Sequence, residues 1–155
     1  MGTIEIKIAK LKKIVTKEAL ITNWQNKTIS TNGAANSSWI FDFRNILFKA
    51  EVIDLIADIF WNLFEKEHPF QVGGQEFAAI PLVSAIILKS QQIKKPINGF
   101  IIRKSRKPTG LQKIIEGKIK NEKIILVDDL INNGTTILRQ IKILEEENKK
   151  IDYIF

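Results

Sequence analysis

Cysteine is absent from this chain and histidine occurs once, so neither a disulfide framework nor a thiolate metal site can be built. Long apolar runs are missing too. The longest near-continuous one, FAAIPLVSAIIL at residues 77–88, is too short to span a bilayer and is interrupted by Pro81 and Ser84. The amino terminus, MGTIEIKIAKLKK, lacks the apolar centre of a secretory signal. Internal repeats and low-complexity linkers are likewise lacking. These absences exclude a membrane partner and lead to the expectation of a soluble, cytoplasmic protein. Basic residues are not interleaved with aromatic ones, and no helix-turn-helix pattern is present, so nucleic acid ranks last among partners.

What is there suits one α/β domain. The 155 residues, 45% of them hydrophobic, are enough for a single core and too few for two. The net charge is +7, from 24 Lys plus Arg against 17 Asp plus Glu. That excess fits a phosphate-rich ligand, and equally a lysine-rich solvated surface. Apolar periodicity predicts helices over residues 5–20, 50–64, 77–90 and 135–147. Strands are expected at NKTIS (26–30) and SSWIFDF (37–43), on either side of the turn-rich TNGAAN (31–36). Further strands are expected at FQV (70–72, ending in Gly73-Gly74), 98–103, 124–128 and 151–155, with 104–121 left as a polar segment. Helices alternating with apolar strands imply a parallel sheet with helices on both faces. The organisation expected is a single domain over 1–155, with an N-terminal helix and small strands in 1–45 and the core in 46–155. The chain stops directly after an apolar strand, which suggests a domain truncated at its C-terminal end.

Ligands of such sheets bind at the carboxyl ends of the strands. There the segment ILVDDLINNGTT, residues 125–136, concentrates the chemistry. The turn 132–136 precedes a helix, so its backbone N–H groups lack intrahelical partners and carry the positive end of the helix dipole. Gly134 permits a tight turn, and Thr135 or Thr136 can cap the helix or donate a hydroxyl. Asp128 and Asp129 repel a phosphate but suit sugar hydroxyls or a hydrated Mg²⁺. A ribose 5-phosphate satisfies both halves. The competing reading is an acid pair that caps a turn and meets no ligand.

The same segment resembles the phosphoribosyl pyrophosphate (PRPP) motif of type I phosphoribosyltransferases, and the likeness extends toward orotate phosphoribosyltransferases. SSWIFDFR (37–44) resembles that family's early Ser-x-x-Tyr strand, and VGGQEFAAIPL (72–82) its pyrophosphate loop. FIIRKSRKPTG (100–110) resembles the mobile catalytic loop, and KIIEG (113–117) the segment that follows it. The resemblance implies a type I phosphoribosyltransferase fold whose core, 46–155, binds PRPP. It implies that Asp128 and Asp129 hold the ribose hydroxyls, with an indirect role toward Mg²⁺. Asn132, Asn133, Gly134, Thr135 and Thr136 would hold the 5-phosphate. Gly74, Gln75 and Glu76 would meet the pyrophosphate, and Arg103, Lys104 and Lys107 would act on it as catalytic cations, in a homodimer. The reaction implied is Mg²⁺-dependent transfer from PRPP to a nitrogenous base within pyrimidine nucleotide metabolism.

The sequence departs from the family's pattern in places. The loop histidine falls on Thr109, the pyrophosphate-loop lysine on Ala78, and the orotate-contacting threonine on Asn132. The early lysine that helps hold orotate falls near Ser30 or Thr31. These departures weigh against orotate as the base. They also keep a second reading open, a PRPP-binding regulator or inactive paralogue without turnover. The kept loop cations favour the enzyme, because a sensor needs no leaving-group activation. His68, in EHPF, is read as structural or exposed.

Overall fold

Buried apolar strands and amphipathic helices assemble into a five-stranded sheet covered on both faces. The computed structural model describes residues 2–22, 39–106 and 113–155. Elements run α1 (Thr3–Ile14), β1 (Leu20–Thr22), β2 (Trp39–Phe41), α2 (Ala50–Phe64), β3 (Phe70–Gln75), α3 (Ala79–Gln92) and β4 (Asn98–Ile102). They continue with β5 (Ile115–Glu116), β6 (Lys123–Leu126), α4 (Thr135–Glu146) and β7 (Tyr153–Ile154). The sheet order is β5-β4-β3-β6-β7. Within this sheet β3 pairs in parallel with β4 and β6, β6 pairs in parallel with β7, and β5 is antiparallel to β4, while β1 and β2 form a separate antiparallel pair.

Alternation along each strand explains the layering. Val72, Ile125 and Val127 face one core with α2 and α3 residues such as Phe60, Trp61, Leu82 and Ile86. Phe100, Ile102, Ile124 and Leu126 face a second core with Ile143 and Leu144 of α4. Strands buried on both faces must be apolar throughout, which is why IILV reads as an unbroken run. Trp61 donates from Nε1 to the Ile86 carbonyl at 3.0 Å, tying α2 to α3 where an indole N–H would otherwise be buried unpaired.

Several expectations are corrected. The helix read over 5–20 starts at Thr3, runs as α1 to Ile14 and continues in the wider π form over Val15–Ala19; only Leu20 departs, as the first residue of β1. Leu20–Thr22 pairs with Trp39–Phe41, so a tertiary contact overrides the local helical spacing. β3 runs past Val72 to Gln75, because Gly73 and Gly74 serve as strand residues under close neighbours. A Cβ on Gly73 would fall 2.3 Å from the Phe100 ring, and one on Gly74 the same distance from the Val127 carbonyl oxygen. The polar segment 104–121 contains β5, which the antiparallel pairing to β4 recruits. The strand expected at NKTIS and the turn TNGAAN lie outside the described residues.

Crossovers place the site. The chain leaves β3 through α3 to β4 on one side and leaves β6 through α4 to β7 on the other. β3 and β6 are neighbours whose connections diverge. Such a reversal opens a crevice at the carboxyl ends of the two strands, where Gln75-Glu76 and Asp128-Asp129 stand. His68 precedes β3 at its opposite end, with its ring edge-on to Phe70 at 6.2 Å.

Candidate functional site

β6 delivers two carboxylates to the rim. Ile124 to Val127 are buried, and Asp128 and Asp129 emerge half-buried. The Asp128 N–H donates to the Phe155 carbonyl at 3.1 Å, and the Asp129 N–H to Asp128 Oδ1 at 3.0 Å. Burial first, and the Asp129 charge second, push the Asp128 carboxyl up to about 6. An acid pair held this way carries a penalty that hydroxyl donors or a cation would relieve.

The turn after the pair folds into a small cavity of about 70 Å³ lined by Asp128, Asn132, Asn133, Gly134 and Thr136. Gly134, at φ 75°, is the N-cap of α4 and adopts the left-handed conformation that glycine tolerates best. The expected threonine cap is replaced by Asn133, whose Oδ1 accepts from the Thr135 N–H at 3.1 Å and its hydroxyl at 2.7 Å. That capping takes up the Thr135 donors and leaves the following amides of the first turn toward solvent and the cavity.

A larger cavity of about 510 Å³ lies beside it. Asp128, Asp129 and Thr136 line it together with Gln75, Glu76, Ala78 and Lys104. Phe41, Asp42, Phe43 and Arg44 form the opposite wall. Lys104 is positioned through its backbone, whose N–H donates to Glu76 Oε1 at 2.9 Å. The structure thus gathers Gln75, Glu76, Lys104, Asp128, Asp129 and Thr136 at one place, with Asn132, Asn133 and Gly134 adjoining. Among the described residues, three expected ones line neither cavity: Thr135, whose donors go to Asn133, and Arg103 and Gly74. Arg103 turns toward Glu116 of β5, with its Nη1 at 3.6 Å, and Gly74 is enclosed between Val127 and Ala79. Lys107 and Thr109, and likewise Ser30 and Thr31, lie outside the described residues.

Two contributors carried no assigned role in the sequence reading. Asp42 and Arg44 form a two-pronged ion pair, Nε to Oδ1 at 2.7 Å and Nη2 to Oδ2 at 3.0 Å. That pair, chiefly its hydrogen bonds, holds the Asp42 carboxyl below the usual carboxylate range. The signal was the charged DFR ending of an otherwise apolar segment. Arg139, on α4, bonds to Gln75 and to the carbonyls of Arg103 and Lys104. In sequence it is one cation on an amphipathic helix, indistinguishable from a solvated one.

Comparison with known proteins agrees with this geometry. The family model "Phosphoribosyl transferase domain" matches residues 44–152. An orotate phosphoribosyltransferase of Methanosphaera stadtmanae is 27% identical over 136 residues, covering 87% of this chain and 72% of the relative. One from Pyrococcus furiosus is 32% identical over 130 residues, covering 82% of this chain and 68% of the relative. The crystal structure of Mycobacterium tuberculosis orotate phosphoribosyltransferase with Fe(III) dicitrate superposes with a TM-score of 0.77. It covers 96% of this chain and 81% of that one at 20% identity, a likeness of fold. These relatives carry the orotate name, which stands against the weighting drawn from Ala78, Thr109 and Asn132. The chain therefore belongs to the phosphoribosyltransferase family of pentosyl-transferring enzymes, and the two relatives described above are orotate phosphoribosyltransferases.

Proposed function

We propose that this protein transfers the 5-phosphoribosyl group of PRPP to orotate and releases pyrophosphate. One observation carries the reading. A half-buried carboxylate pair, a glycine-capped helix start and a positioned lysine meet at the diverging ends of β3 and β6. In this reading the 5-phosphate sits at the first turn of α4 among Asn132, Asn133, Gly134, Thr135 and Thr136. Asp128 and Asp129 accept hydrogen bonds from the ribose hydroxyls. As the bond from ribose C1 to the pyrophosphate oxygen breaks, the electron pair leaves with pyrophosphate, a C1–N bond forms to the base, and the proton of that ring N–H passes to the departing pyrophosphate or to solvent. Lys104, with Lys107 from the same segment, balances the charge that develops on the leaving group, joined by Arg103 once its side chain turns from Glu116. Gln75 and Glu76 flank it, and Gly74 lets β3 approach closely enough to place them. Closure of this segment would keep water from C1.

No group of three or more carboxylates and histidines is gathered among the described residues. The donor set is the Asp128–Asp129 pair alone, which fits Mg²⁺ held mainly through water and substrate oxygens. When bound, Mg²⁺ would supply positive charge against the pyrophosphate. The wall opposite the acids offers apolar Ile40, Phe41 and Phe43 with the Arg44 cation. A flat, carboxylated base matches that chemistry, and Arg44 would supply the cation that the sequence comparison found missing near Ser30.

The expected result is pyrophosphate release that depends on PRPP, Mg²⁺ and orotate together, with other bases supporting far less. Lys107→Ala should lower turnover much more than PRPP affinity, because loop cations act on the leaving group in the transition state. Retained turnover in Lys107→Ala would remove the basic segment from the reaction. The second reading, a PRPP-binding regulator, rests on the uncharged Ala78 beside the cavity. It predicts calorimetric PRPP binding with no release on any base.

We also propose that the working unit is a homodimer in the same cellular setting expected above, the cytoplasm. Supporting it, Ile80 and Leu88 are exposed on α3, and Phe77, in the turn just before that helix, is exposed and packs against exposed Phe48 with ring centroids 5.7 Å apart. Sedimentation should give twice the chain mass, and Leu88→Asp should shift the protein toward monomer. A monomer that keeps full activity would defeat this assignment. Among the described residues no helix is long and apolar enough to cross a membrane.

A further inference from the structure

Arg139 is half-buried on α4, between the buried Ile137 and Gln140. Its guanidinium donates from Nη1 to Gln75 Oε1, and from Nη2 to the carbonyl oxygens of Arg103 at 3.1 Å and Lys104 at 2.8 Å. Those acceptors belong to two different segments, the end of β3 and the chain just beyond β4. One planar fork therefore joins both to the helix that starts at the phosphate turn. A lysine could not span the three oxygens, since its ammonium is a single point on a flexible stem.

The same root is gripped from its other side. Glu76 Oε1 accepts from the Lys104 N–H at 2.9 Å, and the Glu76 N–H donates to the Ile102 carbonyl at 2.9 Å. The Arg103 N–H donates to the Ile114 carbonyl at 2.8 Å, closing the base of the segment that leaves β4 and returns to β5. Lys104 thus has its N–H held by Glu76 and its C=O held by Arg139. With both peptide groups held, the side chain leaves the backbone in one direction, and Lys104 lines the cavity shared with Asp128 and Asp129.

We propose that Arg139 is a positioning residue for the transfer reaction, setting the root of the basic segment and the direction of Lys104 against the phosphate turn. It touches no substrate and acts through the peptide groups of residues 103 and 104. Displacing a leaving-group cation by a fraction of its reach affects the transition state more than the bound ground state. The inference rests on the proposed reaction for its kinetic consequence, but not for its structural one.

Arg139→Met and Arg139→Lys test it in the full chain. PRPP-binding stoichiometry from calorimetry counts the competent sites, so that turnover is expressed per folded site. For Arg139→Met, kcat with PRPP and orotate should fall by about tenfold or more, while the PRPP Kd stays within about threefold; Arg139→Lys should recover part of the loss. Independently of activity, amide hydrogen exchange at Lys104 should accelerate in Arg139→Met while Val72, inside β3, keeps its protection. A merely structural arginine would lower stability and the number of competent sites but leave kcat per site unchanged, and that result overturns the proposal. So does unchanged exchange at Lys104, or a Kd loss as large as the loss in kcat/KM. If the wild type releases no pyrophosphate with any base, the transfer reading fails, and the exchange measurement alone decides whether Arg139 holds the root. Should Arg139→Met not fold, Arg139→Lys carries the same comparisons at reduced amplitude.

Discussion

Replacing Asp128 and Asp129 together by asparagine should severely weaken PRPP binding while making the ligand-free protein more stable at neutral pH. The two effects have one cause. Asp128 is half-buried beside a second carboxylate, and its carboxyl is pushed up to about 6 by burial and then by Asp129. In the unfolded chain the same group titrates near 4, so between those values the native state binds more protons. The stability penalty of ionised Asp128 is therefore absent below about pH 4 and complete above about pH 6. Asparagine removes that penalty. With the carboxyl still partly solvated, the gain is on the order of 1 kcal/mol, or a rise of about 2–4 °C in melting temperature. The gain should vanish below about pH 4. Binding moves the opposite way. Each charge-assisted hydrogen bond to a ribose hydroxyl is worth about 1.5–3 kcal/mol, so losing two should weaken PRPP by roughly 10²–10⁴-fold. Calorimetric titration of the double variant and of each single one, with melting curves across pH 3 to 8, would check both parts. PRPP affinity unchanged in the double variant would remove the acids from the ribose.

Gly74→Ala should damage the fold and the site together. An added Cβ would lie 2.3 Å from the Val127 carbonyl oxygen and 2.6 Å from the Ala79 Cβ. Both obstacles are rigid, one the backbone of the strand that carries Asp128, the other the first residue of α3. Neither can swing away as a flexible side chain would, so β3 must part from β6 or α3 must lift. Overpacking of this kind costs about 1–3 kcal/mol or more, which for a chain of this size lowers the melting temperature by roughly 2–12 °C. Because Val127 immediately precedes Asp128, the strain should also appear as weaker PRPP binding. Gly134→Ala is the informative contrast, since nothing lies within 4 Å of its Cβ position and only the left-handed φ of 75° opposes it. Its cost should stay near 1–2 kcal/mol. A Gly74→Ala protein that melts and binds like the wild type would mean that β3 and β6 are not as close as described.

The sequence by itself determined the parts that depend on local order. The IILV run required a strand buried on both faces, and the following Asp-Asp-turn-helix pattern required a carboxylate pair beside a helix start. The spacing of Val52, Leu55, Ile56, Ile59 and Phe60 required the helix observed at α2. These are short-range consequences of side-chain period and backbone capping, legible in a single chain. The tertiary structure decided what depends on residues far apart meeting. Leu20 looked like the end of a helix until Leu20–Thr22 paired with Trp39–Phe41, and Ile115–Glu116 looked like loop until β4 offered an edge. Gly73 and Gly74 looked like the end of a strand, yet they extend it, because Phe100 and Val127 crowd the places where side chains would be. Arg103, read as a catalytic cation, pairs with Glu116 here, while Arg139, assigned no role from the sequence, binds three oxygens across the sheet end. Charge and spacing announce that a cation is present. Which oxygens it meets is set only when β3, β4 and α4 converge, because a long side chain reaches partners that no sequence interval encodes.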